Sequence, residues 1–319
     1  MKLQRIMTDF GAESSFNVAA KKVYEHYGVV VPTSTTRLKV ESHAEKMRDL
    51  SEKNLFQSSA KQSDYIVAQA DGGMIPIRTY EKNNSNSIDR RKNKTLAWKE
   101  ALLGLARGHK TLQAYSSATT KSRETMGKRL SQNAKLAGRH SKTHMHCLGD
   151  GADWIAAQMD NAFGSDATFL IDFYHLMQYL TKAALCCQPD NPLEWIEDNK
   201  QLMLENKFEL VMENLQQHIN NKDKKHELCA AEKCFNYMNT RRKYFNYKDA
   251  LEANLPIGSG EIESGIRTVI QSRLKIPGAW WLNENADAML SLKTVRANNF
   301  WEQYWNSARY GNAPNSYGD

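Results

Sequence analysis

The spacing of apolar positions predicts two helices near the start of the chain. Residues 15–28 carry apolar side chains at helical spacing, and Gly28 is a typical helix stop. After the turn VVVP, residues 33–49 predict a second helix with hydroxyl caps at its start. Such a pair is typical of a helix-turn-helix, and a helical hairpin that only packs on its neighbour is equally compatible. In a helix-turn-helix the DNA-facing residues would be Thr35, Thr36, Arg37 and Lys39.

From residue 64 the pattern changes to short apolar runs. DYIVAQADGGMIPIRTY predicts two strands around a Gly-Gly turn, TLQAYSSATT predicts a third, and the polar, basic EKNNSNSIDRRKNKT predicts a loop between them. Residues 123–138 predict a helix, THMHCLGD a fourth strand, WIAAQMDNAFG a helix ending at Gly164, and ATFLID a fifth strand that leads into HLMQYLTKAAL. Strands in succession, followed by alternating helix and strand, predict a mixed α/β sheet.

The last part of the chain has a helical pattern throughout. Residues 190–254 show helical periodicity and no strand pattern, which predicts an all-α insertion. A new helix is predicted to begin in LPIGSGEIESGIRTVIQSRLK, with Ser259 as its N-cap. We therefore expect a helix-turn-helix-like segment, the first part of a mixed core, the insertion, the closing helices of the core and a flexible tail, at residues 1–58, 59–180, 181–254, 255–310 and 311–319.

Composition limits the class of protein. The 319 residues are 41% hydrophobic and 25% charged, as in soluble globular proteins. No run is long enough for a transmembrane helix, the start MKLQRIMTDFG lacks an apolar signal core, and five cysteines do not form a disulfide framework, so a cytoplasmic location is predicted. The net charge of +7 is compatible with a polyanionic partner and equally with an ordinary basic enzyme.

Three acids are placed where elements are predicted to begin or end. Asp71 follows the run YIVAQA before two glycines, Asp150 follows HCLG, and Glu263 lies in the first turns of the helix opened by PIGSG. Such positions point side chains into clefts. Carboxylates are preferred ligands of Mg²⁺, and two ions about 4 Å apart can activate a water or a 3′-hydroxyl in phosphodiester chemistry. Each acid taken alone is also compatible with an ordinary turn or cap.

Helix geometry separates the neighbouring acids. Glu261 and Glu263 lie roughly 200° apart around a helix, so only one of them can face a cleft. Arg267 follows Glu263 by one turn and can pair with it or meet a phosphate. Asp153 is expected to serve the start of its own helix, where a negative charge is favourable.

Four segments follow one another along the chain, namely ADGGMIPI, LGDGADWI, IDFYHLMQYL and PIGSGEIESGIRTVIQSRLK. Together they resemble bacterial insertion-sequence transposases of the ISKra and ISLre type, within the RNase H-like DDE transposases. The resemblance runs from about residue 64 to residue 305. It implies an RNase H-like fold and catalytic acids at Asp71, Asp150 and Glu263, which would bind two Mg²⁺ or Mn²⁺ ions. Asp172 and His175 correspond to a family pattern near the active site, and a structural pair is the alternative for these two residues.

The resemblance also implies a nucleic-acid surface after the last acid. Its basic residues would be Arg267, Arg273 and Lys275, in addition to Arg37 and Lys39 of the predicted second helix. A solvated helix face is the alternative, above all for Lys275. Trp280 and Trp281 are compatible with stacking on an unpaired base or with packing on the core.

The predicted function is therefore metal-dependent cleavage of DNA followed by attack of a 3′-hydroxyl on target DNA. The expected partners are double-stranded DNA, at the element ends and the target, and further copies of the chain, without a membrane. Two alternatives remain. Family members have a longer N-terminal region, so a truncated, non-catalytic DNA-binding relic or regulator is one, and an RNase H-like nuclease that acts on other nucleic acids is the other.

Overall fold

The computed structural model describes residues 1–80, 94–220 and 229–310. The chain forms two compact units, unit 1 with Met1–Thr143 and Glu261–Asp319, and unit 2 with His144–Gly260. Antiparallel strands in unit 1, parallel strands in unit 2 and helices in both confirm the predicted mixed α/β class. The five predicted segments, which divide the chain at other positions, remain a prediction. Within the described ranges no helix has the length and apolar character needed to cross a membrane.

The described residues form helices and strands in both units. In chain order they are α1 (Lys2–Glu13), α2 (Phe16–Tyr27), α3 (Thr33–Glu52), β1 (Tyr65–Tyr80), β2 (Lys94–Gly108), β3 (Tyr115–Thr119), α4 (Arg123–Leu136), β4 (His144–Gly149), α5 (Asp153–Phe163), β5 (Ala167–Ile171), α6 (Phe173–Cys187), α7 (Pro192–Leu204), α8 (Phe208–Asn220), α9 (Ala230–Asn239), α10 (Tyr247–Glu252), α11 (Gly260–Gly265), α12 (Ser272–Leu274), α13 (Asn283–Ala297) and α14 (Trp301–Tyr310). A π-helix, Ile266–Gln271, joins α11 to α12.

The sheet of unit 1 corrects the predicted Gly-Gly turn. β1 is one uninterrupted strand that pairs antiparallel with β2 from Ile66 opposite Gly108 to Tyr80 opposite Lys94. Gly72 and Gly73 lie in its middle, and neither has the positive φ that a two-residue hairpin turn needs. The prediction of two strands is therefore wrong, as is the placement of Asp71 at a strand end. β2 was not predicted, and most of the predicted polar loop lies outside the described residues.

Helices complete the core of unit 1. The apolar stripe of α3, with Val40, Ala44 and Met47 fully buried, packs on α13 and α1. α13 also lies against β3, and α4 covers β2 and β3 with Met126 and Leu130. The two predicted helices are confirmed at α2 and α3, and α1 is an additional helix that precedes them.

Unit 2 follows its predicted order. β4 and β5 pair in parallel from Met145 opposite Ala167 to Gly149 opposite Ile171. α5 lies between them in the chain, as is usual for a strand–helix–strand crossover. The described residues of 190–254 form helices and no strand, as predicted. α6, which follows β5, is buried through Leu176 and Leu180 against α7 and α9.

Candidate functional site

Asp71 lies on a strand face that a helix covers. Gln69, Asp71 and Gly73 share this face because alternate residues of a strand point to the same side. The buried Gln69 Oε1 accepts a hydrogen bond from the backbone N–H of Ile262 at 3.0 Å. A Cβ on Gly73 would lie 3.1 Å from Cγ2 of Ile266. The helical region that starts at α11 therefore runs along this face, beside Asp71.

Glu261 differs from Glu263 because it has an ion-pair partner on β2. Arg107 binds Glu261 in a bidentate manner, with Nε 2.7 Å from Oε1 and 2.9 Å from Oε2. Glu263 lies roughly 200° further around the helix, so it points away from Arg107. Its side chain is 59% exposed and Arg267 Nη2 lies 4.0 Å from Oε2. Of the two acids, Glu263 is therefore the one that is not committed to a strong internal ion pair.

Asp150 lies in a short loop after β4, as predicted. Its Oδ1 accepts a hydrogen bond from the backbone N–H of Ala152 at 2.8 Å, which is a turn stabilised by an aspartate side chain. Asp153 lies in the first turn of α5, also as predicted. The side chain of Asp150 is thus oriented by the backbone that leads into α5.

Two side chains hold this loop, one from α9 and one from the residues that follow α9. The Tyr237 hydroxyl donates to the carbonyl of Asp150 at 2.8 Å, and Arg241 Nε donates to the carbonyl of Gly151 at 2.6 Å. The Arg241 guanidinium lies 4.6 Å from the centre of the Tyr237 ring. Gly151 has φ +88°, and a Cβ there would lie 2.7 Å from the Tyr237 hydroxyl, so the contact requires glycine. We call Tyr237 and Arg241 the loop clamp.

The phenol of Tyr237 stays a donor over the physiological pH range. Burial raises the pKa of Tyr237 well above its ordinary value, and the nearby Arg241 only partly opposes this shift. The ring also stacks on Tyr179 at 4.1 Å, with the His175 ring 6.0 Å away. His175 therefore contributes an aromatic contact to the cluster behind the Asp150 loop.

Asp172 is a buried structural acceptor within unit 2. Its Oδ1 caps α6 by accepting from the backbone N–H of His175 at 2.9 Å. Its Oδ2 accepts from the backbone N–H of Ser259 at 2.6 Å and from the Ser259 hydroxyl. Asp172 therefore fixes the segment GSG, residues 258–260, whose Ser259 lies four residues before Glu263 in the chain. The Ser259 hydroxyl, predicted as an N-cap, donates to this carboxylate.

The three predicted catalytic acids are divided between the units. Asp71 and Glu263 belong to unit 1, and Asp150 belongs to unit 2. Across the described parts of the chain, no three His, Cys, Asp or Glu side chains form a group ready to hold a metal ion. The carboxylate oxygens of the three acids are the donor type that suits Mg²⁺ or Mn²⁺.

The predicted basic residues differ in their environments. Arg37 and Lys39 are exposed on α3, Arg37 with its Nε 3.9 Å from Glu41 Oε2, and Lys275 is exposed with its Nζ 5.6 Å from the centre of the Trp98 ring. Arg273 is only 2% exposed, and its Nε donates to the carbonyl of Gly11 at 2.7 Å. The Arg273 guanidinium is therefore packed inside unit 1 and is not part of a solvated helix face, and its contact with DNA stays a prediction.

Thr36 was also predicted to face DNA, and the two adjacent tryptophans were given two possible roles. Thr36 is fully buried and its hydroxyl donates to the carbonyl of Pro32, so it cannot face DNA. Trp281 is 5% exposed, and its backbone N–H donates to the carbonyl of Pro76 at 3.1 Å. Trp280 is half-buried. Trp281 thus belongs to the core of unit 1, as one of the two interpretations holds.

Sequence reasoning missed Gln69, Arg107, Tyr237 and Arg241. A polar residue in the apolar run YIVAQA was a usable signal for Gln69, because a buried amide needs a partner. No comparable signal existed for the loop clamp, since its residues lie 87 and 90 positions from the carbonyls they bind.

Comparison with known proteins identifies a family. No curated protein sequence matches the chain. Among solved structures, the Drosophila P element transposase strand transfer complex is similar at 10% identity over 97% of this chain and 81% of that chain, with a TM-score of 0.33. A similarity at this level does not establish a shared fold or activity. Residues 14–305 match the uncharacterised protein family UPF0236, and the chain therefore belongs to this family.

Proposed function

We propose that the chain is a DDE-type DNA transposase with an RNase H-like core. Asp71, Asp150 and Glu263 would bind two Mg²⁺ or Mn²⁺ ions, cut DNA and transfer the freed 3′-hydroxyl to a target strand. The observation that carries the proposal is the packing of α11 along the face of Gln69 and Gly73. Through this packing, Asp71 and Glu263 belong to one compact unit although they are 192 residues apart in the chain.

The chemistry of the donor set fits divalent cations. Three carboxylates supply hard oxygen ligands and no competing soft ligand. When bound, such ions activate a water or a 3′-hydroxyl and stabilise the leaving oxygen of the phosphodiester.

The residues of the chain itself have the task of orienting the acids. Gln69 fixes the start of α11 on β1, and Arg107 holds Glu261 so that Glu263 is turned to the other side. The loop clamp fixes the backbone at Asp150, and Asp172 fixes the segment before Glu263. Such fixed geometry suits a reaction whose barrier is lowered mainly by positioning and electrostatics.

The substrate would be double-stranded DNA at element ends and target. The net charge of +7 favours binding of a polyanion through release of counterions. Exposed Arg37, Lys39, Arg267 and Lys275 are available for phosphate contacts. Assembly of further copies on the DNA and action in the cytoplasm at the nucleoid complete the proposal.

The test is cutting and joining by the full chain. Supercoiled plasmid is incubated with Mg²⁺ or Mn²⁺, and a fluorescent oligonucleotide with a free 3′-hydroxyl reports joining. Asp71→Asn, Asp150→Asn and Glu263→Gln should each abolish both products, because each removes a ligand charge at nearly constant shape. Asp160→Asn, which changes an exposed acid of α5 outside the proposed site, is the matched control and should retain cutting per folded molecule.

Three results would contradict the proposal. Normal cutting by Asp71→Asn would remove the acid from the site. Salt-sensitive DNA binding by the wild type without any metal-dependent cut would favour the non-catalytic regulator. Cutting without joining would favour the nuclease.

A further inference from the structure

A basic, aromatic groove in unit 1 has no role in the proposed catalytic site. Its volume is about 390 Å³ and its wall is formed by residues from α2, α3, both long strands and the segment before α13. We define the tryptophan groove by Phe16, Arg37, Arg78, Arg273, Trp280 and Trp281. Arg78 lies seven residues along β1 from Asp71, which is roughly 23 Å in an extended strand.

The floor of the groove holds a buried positive charge. The Arg273 guanidinium lies 4.6 Å from the centre of the Phe16 ring and 4.8 Å from that of Trp281. Burial lowers the pKa of Arg273 to about 10, so the group remains charged at neutral pH. Its Nη2 and the Nε of Arg78 are buried without a hydrogen-bond acceptor among the described residues.

The remaining charges of the groove are mostly positive. Arg37, Arg78, Lys94 and Arg273 line it, and Glu41 is its one carboxylate within the described ranges. Glu41 lies 3.9 Å from Arg37 and so offsets part of one charge. The excess of cations over carboxylates suits an anion, and guanidinium groups suit phosphate in particular.

Exposed aromatic rings adjoin these cations. Trp98 is 55% exposed and its ring centre lies 6.3 Å from that of the half-buried Trp280. Lys275 Nζ lies 5.6 Å from the centre of the Trp98 ring. Flat aromatic faces beside a positively charged groove are the arrangement that binds single-stranded nucleic acid, in which bases stack on the rings and phosphates meet the cations.

We infer that the tryptophan groove binds a single-stranded segment of nucleic acid, with an unpaired base stacked on Trp280 and the adjoining phosphates at Arg37 and Arg78. Trp98 and Lys275 extend the same surface and would contact the next base. The inference deepens the proposed function, in which Arg37 and Lys275 already contact DNA phosphates, because it adds a groove and names a single strand as its ligand.

The test is equilibrium binding of a fluorescent single-stranded oligonucleotide to the full chain without divalent cations. Trp280→Ala should weaken binding roughly ten-fold through the lost stacking contact. Arg78→Gln should lower the slope of log K against log salt by about 0.7, the value for one phosphate contact on a single strand. Tyr24→Ala and Lys128→Gln, which remove an exposed ring and an exposed cation outside the groove, should bind as the wild type does.

Two results would overturn the inference. One is unchanged single-strand binding by both Trp280→Ala and Arg78→Gln. The other is an equal loss of duplex and single-strand binding in Trp280→Ala, which would exclude base stacking. If circular dichroism shows that Trp280→Ala is unfolded, the salt slope of Arg78→Gln decides alone. Because no metal is present, failure here leaves the catalytic proposal standing, and inactive acid variants do not affect this test.

Discussion

Replacing Arg241 with alanine removes the charged half of the loop clamp that holds the backbone beside Asp150. The lost contacts include the hydrogen bond of Nε to Gly151, the stacking on Tyr237 and an ion pair in which Nη2 lies 3.3 Å from Asp153 Oδ1. Nη1 also loses hydrogen bonds to the Thr240 hydroxyl at 2.8 Å and to the Tyr237 carbonyl at 3.3 Å. The Arg241 side chain is only 20% exposed, whereas that of Asp153 is 96% exposed. The first two contacts should therefore dominate the effect.

The magnitude follows from these contacts. A hydrogen bond from a charged group contributes about 1.5–3 kcal/mol, and a partly buried cation–π contact contributes about 0.5–2 kcal/mol. The exposed ion pair with Asp153 contributes at most about 1 kcal/mol. Because contacts of one side chain do not add, we expect Arg241→Ala to lower the free energy of unfolding of unit 2 by about 2–4 kcal/mol.

The neighbouring Arg242 supplies the matched control. Its side chain is 50% exposed and pairs with Glu209, which is 67% exposed. Arg242→Ala should therefore cost about 1 kcal/mol or less. The assay is urea unfolding followed by far-ultraviolet circular dichroism, with hydrogen exchange of residues 150–155 as the local measurement. Equal destabilisation by the two variants, or unchanged exchange of this segment in Arg241→Ala, would refute the clamp.

Two further changes test the internal contacts of each unit. Asp172→Ala should lower the free energy of unfolding by about 2–4 kcal/mol, because it removes a helix cap and leaves two buried donors of Ser259 unpaired. The control Ser122→Ala removes the cap of α4 and should lower the free energy of unfolding by about 1 kcal/mol in the same urea titration. Equal losses in the two variants would contradict the buried role of Asp172. His43 is 5% exposed, and burial, with Lys46 and Lys39 nearby, lowers its pKa to about 4 from an ordinary value of 6.5. Its neutral form is therefore favoured in the folded state, so its stabilisation is complete above pH 6.5 and is lost as the pH falls toward 4, by about 1–2 kcal/mol after allowance for solvent screening. His43→Gln should flatten the urea midpoint between pH 7 and pH 5, and an unchanged pH profile would contradict the shift.

Local patterns were sufficient for the order of elements in unit 2. β4, α5, β5 and α6 are each bounded by strong signals, such as Gly164 at the end of α5. Both strands are short, and β5 is mostly apolar. The position of Asp150 followed directly from them. The sequence could predict this part because each element is specified by its own residues.

Long-range pairing explains the errors in unit 1. β2 begins with the exposed residues KTLAWKE and continues with helix-forming leucine and alanine, so its pattern does not indicate a strand until it is paired with β1. Gly72 and Gly73 suggested a turn, yet they serve close contacts, since added Cβ atoms would meet Glu100 and Ile266. The tertiary partner, rather than local preference, decides both regions.

The candidate site was only partly predictable for the same reason. The acids themselves carry a sequence signal, whereas the residues that orient them act through distant backbone groups. Arg273 shows the limit most clearly, because a cation in a basic run indicates a surface until the rings of Phe16 and Trp281 are seen to enclose it. Burial of a charge cannot be inferred from its neighbours in the chain.

The central claim is that Asp71, Asp150 and Glu263 together bind divalent cations. The most direct measurement is calorimetric titration of Mn²⁺ into the folded full chain with DNA present, beside the variant that combines Asp71→Asn and Glu263→Gln. We expect saturable uptake of two ions by the wild type and none by the variant. No uptake by the wild type, or the same uptake by both proteins, would contradict it.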